Sequence, residues 1–61
     1  MNVRVTVEFA KAKTIVSRFV FICDREQDLG AGMDAAVAFF RRQHPQRSLF
    51  DESVCLHFQK E

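Results

Sequence analysis

The sequence has few of the residues that keep a chain unfolded: one Pro and two Gly in 61 positions, beside 48% hydrophobic residues and seven Phe. That composition excludes an intrinsically disordered chain. Neither sign of charge is in excess. Nine basic against eight acidic residues leave a formal charge of +1, which excludes the polycationic tails of histone-like or ribosomal proteins. Long hydrophobic runs are missing too; residues 19–23 form one of the longest, far short of the roughly 20 residues that span a bilayer. Cysteine is scarce, with only Cys23 and Cys55, whereas a secreted domain of this size normally carries four or more. Positions 2 to 7 alternate polar and apolar residues, unlike a signal peptide. The expected setting is therefore a reducing cytoplasm, with both thiols acting as small buried hydrophobes. Residues 1–61 are read as one domain, and a chain this short buries only about 60% of its unfolded surface, so its stability is marginal.

The pattern along the chain is strand, strand, helix, strand. Val3, Val5, Val7 and Phe9 alternate with Arg4, Thr6 and Glu8, the period of a half-buried strand. Residues 10–13 are short and charged, suiting a hairpin tip, although the Asn-Gly signal of a tight turn is missing. Residues 14–23 form a second strand that is apolar on both sides: Ile15, Phe19 and Phe21 on one, Val16, Val20 and Ile22 on the other. Asp24 with Gln27 three residues on reads as a helix start, and Asp28 as an alternative one. Leu29, Met33, Ala36, Val37 and Phe40 then fall on one helical stripe, Arg41 and Arg42 suit its last turn, and Pro45 stops it. Gly30 and Gly32 are expected to loosen the first turns. Val54, Leu56 and Phe58 alternate with Cys55, His57 and Gln59 in the third strand. One helix on one face of a three-stranded sheet makes an α+β two-layer sandwich of ββαβ order. An antiparallel sheet with the first strand central is favoured over a mixed sheet, because both neighbours then shield residues 3–9.

Few residues offer catalytic chemistry. Cys55 and His57 are two apart on a strand, so they share a face at roughly 7 Å, beyond hydrogen-bond reach and without a third orienting group. Cys-x-His supplies too few ligands for zinc, and Gly30-Ala31-Gly32 lacks the third glycine of a phosphate-binding fingerprint. The expectation is a protein that is not an enzyme and uses no metal or cofactor.

Surfaces say more. A single helix covers one sheet face, so one apolar row of the second strand must face away from it. Val16, Val20 and Ile22 are the expected outward set, because Phe19 and Phe21 gain more from the core. Uncovered apolar patches mark interaction surfaces, and a marginal domain gains stability by burying one in a partner or a second copy. The topology also brings the hairpin tip and the helix C-terminus to one end, gathering Lys11, Lys13, Arg41, Arg42 and Arg47 into a basic pole that suits an acidic protein surface or nucleic-acid phosphate.

The run Gln46, Arg47, Ser48, Leu49, Phe50 resembles the short Gln-x-Ser/Asp-Leu-Phe peptide by which bacterial polymerases and repair proteins dock on the DNA sliding clamp. Arg47 stands where that family often has Leu. The resemblance implies that Leu49 and Phe50 fill an apolar pocket of the clamp while Gln46 bonds at its rim; the alternative is that Leu49 and Phe50 close the open end of the core. The leading expectation is a cytoplasmic protein-interaction module, self-associating as a homodimer or bound to a larger protein, of the kind found among small bacterial or phage accessory proteins. Phage inhibitors of host defence, anti-CRISPR proteins included, share its size and sparseness, a likeness of format that no motif carries. A nucleic-acid-binding regulator using the basic pole is the competing expectation, and no membrane is expected as partner.

Overall fold

The computed structural model describes residues 2–61. The elements are β1 (Val3–Lys11), β2 (Thr14–Cys23), α1 (Gln27–Gln43), a single 3-10 turn (Leu49–Asp51) and β3 (Ser53–Lys60). The sheet is antiparallel throughout in the order β2-β1-β3. This is the expected ββαβ sandwich with the first strand central.

The hairpin closes with two residues, Ala12 and Lys13, both at positive φ (52° and 68°). Positive φ at both central positions marks the primed turns whose twist matches the flanking strands. Neither residue is the Gly or Asn that adopts this conformation cheaply. The register of β1 with β2 runs in step from Val3–Cys23 to Phe9–Ser17, then jumps to Ala10–Ile15. Val16 is therefore the extra residue of a β-bulge.

That bulge corrects the expected outward set. Cys23, Phe21, Phe19 and Ser17 lie opposite the helix-facing residues of β1, and Val20 and Ile22 face away, each half exposed. Val16 instead packs against the core. Strict alternation would have turned it outward; the bulge breaks the alternation at that residue.

Helix α1 begins two residues later than an Asp24 cap would place it, at Gln27. Glu26 occupies the cap position and makes no side-chain bond. The carboxylate that orders the entry belongs to Asp28, whose Oδ2 accepts the backbone N–H groups of Asp24 and Arg25, each at 3.0 Å. These two bonds pull the Asp28 carboxyl below its ordinary value, against a smaller opposing effect of burial. At the other end the His44 N–H bonds the Phe40 carbonyl at 2.9 Å, and Pro45 follows.

The buried ridge of α1 is Gly32, Ala36 and Phe40, spaced four residues apart so that all three lie on one face. Gly32 is a seat rather than a loose point. A Cβ there would overlap the Phe21 ring, so the missing side chain lets helix and strand approach closely. Phe40 stacks on Phe9 with ring centroids 4.7 Å apart, and Phe39 meets Phe19 at 5.4 Å. Val5, Val7, Phe9, Ala36 and Phe40 are buried to within 1%, with Leu29, Met33, Val37 and Leu49 packed around them.

The helix sits off centre. Its ring contacts are with β1 and β2, and every residue of β3 is exposed. Only three residues separate β2 from α1, whereas nine separate α1 from β3, so the short link ties the helix to β2. A helix about 10 Å wide spans two strands at about 4.8 Å spacing. The third strand is left uncovered.

Candidate functional site

Two surfaces stand out, one on each face of the sheet. On the face away from the helix, β1 contributes Arg4, Thr6 and Glu8. Glu8 lies directly across from Arg18 of β2 and diagonally from His57 of β3. Arg18 donates from Nε to Glu8 Oε2 at 2.8 Å, with its second guanidinium nitrogen at 2.7 Å from the same oxygen. His57 Nε2 lies 2.9 Å from Glu8 Oε1. Glu8 thus ties all three strands together across the open face. Arg18, then His57, hold its carboxyl below the usual carboxylate value, while partial burial works the other way. Arg4 pairs with Glu61 at 2.8 Å. Beside this charged row, Val20 and Ile22 form a half-exposed apolar strip on β2, and a shallow groove runs from Val20 past Glu8 to His57.

On the helix-bearing face, β3 presents Val54, Leu56 and Phe58, exposed by 48, 40 and 59%. They lie directly opposite Phe9, Val7 and Val5, so they continue the core row outward, past the edge of the helix. At the end near the start of α1, Phe58, Leu29, Val3 and Cys23 line an apolar pocket of about 190 Å³ with Arg25 and Glu26 among its lining residues. The sequence pattern marked these β3 residues as a core face. The helix-to-strand width ratio was the signal that one apolar strand face would remain open.

The sequence-selected residues divide as follows. Val20 and Ile22 lie together on the open face; Val16 does not join them. In the clamp-like run, Ser48 Oγ accepts the Phe50 N–H at 3.2 Å and caps the 3-10 turn. Leu49 packs on the core, Gln46 is exposed, and Phe50 is 97% exposed. Only Phe50 of the apolar pair is available to a partner.

The stacking of Phe40 on Phe9 fixes the end of α1 beside the hairpin end of the sheet, so Lys11, Lys13, Arg41 and Arg42 share one pole and are all exposed. Arg47 is engaged there by Glu52, at 3.1 Å from Oε1. The Glu52 side chain is buried, and its Oε2 has no hydrogen-bond partner among the described residues.

Cys23 faces the helix at one end of β2, while Cys55 lies across from Glu8 on the open face of β3, so the two thiols are free. Burial, and secondarily the Asp28 charge, push the Cys23 thiol up. Among the described residues no three potential metal ligands come together, and no helix is long and apolar enough to cross a membrane. No family model matches the chain, and no curated protein or solved structure is significantly similar to it.

Proposed function

We propose that this chain is a non-catalytic protein-interaction module. One observation carries the reading: a single helix leaves Val20 and Ile22 uncovered on the opposite sheet face, and its off-centre seat leaves Val54, Leu56 and Phe58 uncovered on its own face. A domain of 61 residues has little stability to spare, and exposing this much apolar strand surface is costly unless a partner covers it. The open face supports recognition of a larger protein, since Val20 and Ile22 offer apolar area beside the fixed charges of Arg18 and Glu8. A small cytoplasmic accessory protein that binds and modulates such a partner fits these features, and the two free thiols are in keeping with a reducing compartment.

The test is affinity capture with the immobilised chain, run beside Val20→Glu. Loss of the captured protein with an unchanged melt supports docking on the open face, because an unpaired charge in an interface is costly. Equal capture by both removes that face from consideration.

A second reading rests on the exposed cluster of Lys11, Lys13, Arg41 and Arg42 at one pole: docking of nucleic-acid phosphate. Its mark would be DNA retention that weakens steeply with salt.

A further inference from the structure

Strand β3 is an unprotected edge. Its eight residues contain no Pro and its register with β1 is unbroken, whereas β2 carries a bulge and lies under α1. Long apolar edges of this kind template pairing with another strand. We propose that a second copy of this chain covers it: two β3 strands pair antiparallel about a two-fold axis, and Phe50 of each copy enters the pocket beside Phe58 of the other. This rests on the reading of the chain as an interaction module and names the partner of its β3 strip.

The register follows from the side chains. A two-fold axis normal to the sheet keeps both helices on one face, so only residues of like facing lie opposite one another. With Leu56 on the axis, Leu56 meets Leu56 and Val54 meets Phe58, matching all three apolar positions. Placing Cys55 on the axis would oppose Phe58 to Glu52, and placing His57 there would oppose Val54 to Lys60. Neither is as favourable.

The Leu56-centred register also moves the 3-10 turn of one copy, which immediately precedes β3, to the far end of the other copy's β3. That end holds the apolar pocket lined by Phe58, Leu29 and Val3. Phe50 is the most exposed large hydrophobic residue among the described residues, at 97%, and the pocket, about 190 Å³, has the volume to receive a phenyl ring. A knob without a hole and a hole without a knob are thus brought together twice by one symmetry operation. Phe50 would close the trough that edge pairing leaves between the two helices. The exposed parts of Phe50, Val54, Leu56 and Phe58 amount to roughly 450–500 Å² per copy, so two copies approach the roughly 1,000 Å² that a specific interface needs before backbone and polar neighbours are counted.

Sedimentation of the full chain from micromolar to millimolar concentration reads the result. A species of twice the 7.1 kDa chain mass is expected, with Phe50→Asp weakening association about tenfold or more. Phe50 is too exposed for this change to unfold the domain. Leu56→Cys in a Cys55→Ser background is expected to form an intermolecular disulfide rapidly under mild oxidation, as a residue on the axis must. Monomer at all concentrations overturns the proposal, as does a dimer indifferent to Phe50→Asp but lost in Val20→Glu. In the first case, continued binding of a hydrophobic dye that Phe58→Lys abolishes would leave the interaction reading standing with a different occupant. Absence of both dimer and dye binding would remove the β3 strip from either reading.

Discussion

Gly32 of α1 and Phe21 of β2 occupy adjoining space so closely that a single methyl group on Gly32 would overlap the Phe21 ring. This contact sets the distance between the helix and the sheet, and with it which strands the helix covers.

The two helix glycines therefore respond in opposite directions. Gly30 has open space around it, so Gly30→Ala should stabilise by up to about 1 kcal/mol through helix propensity alone. Gly32→Ala gains the same propensity but overpacks Phe21, and a net loss of about 1–3 kcal/mol is expected. Urea unfolding of the two variants side by side checks this; equal stabilisation would show that Phe21 yields freely.

Phe40 and Phe39 are adjacent in sequence and unequal in burial. Phe40 is fully buried against Phe9, whereas Phe39 is half-buried against Phe19. Phe40→Ala should cost about 3–5 kcal/mol, most of a small domain's stability. Phe39→Ala should cost clearly less, and thermal melts that rank the pair the other way would contradict the helix phase.

The hairpin turn holds two non-glycine residues at positive φ. Replacing them with the preferred pair, Ala12→Asn with Lys13→Gly, should raise stability by about 1–2 kcal/mol without altering any side-chain contact of the core. The melting temperature of the double variant is the measurement, with strand content by circular dichroism as its control.

Acid should unfold the domain through Glu8 and Asp28. Both carboxyls are held below their ordinary values of 4.5 and 3.8 in the folded chain. Their stabilising contribution is complete above those values and is lost as pH falls through the lowered folded ones. Glu8→Gln should lower the melting temperature at neutral pH and flatten its decline below about pH 4.5, where the wild type is losing the same interaction. A decline as steep as that of the wild type would assign the acid sensitivity to other groups.

The two thiols should differ in reactivity. Cys55 is exposed, whereas Cys23 is buried with its thiol pushed up, and only the thiolate reacts. A thiol reagent should modify one cysteine quickly in the native chain and the second only on unfolding. Rapid labelling of both would mean that the β2–α1 junction opens readily.

Much of this fold was legible in the residue pattern, because the information is local. Val3 to Phe9 alternate as a strand must, Leu29 to Phe40 recur as a helix must, and Pro45 ends the helix because it lacks an N–H. Even the strand order followed from the need to shield β1 on both sides. The face of Val16 was not legible, since a one-residue bulge leaves no mark in an alternating apolar run. Nor was the helix start, where Asp24 and Asp28 are both competent acceptors and only the path of the backbone selects between them.

The sequence by itself determined the elements, their order and the row that becomes the core, since period and breaker residues act within a few positions of themselves. The tertiary structure alone decided where the helix rests across the sheet. That depends on Gly32 meeting Phe21, on a three-residue link to β2 set against a nine-residue link to β3, and on a helix two strands wide facing a sheet of three. Val54, Leu56 and Phe58 carry a core pattern in the sequence and an exposed strip in the fold for that reason.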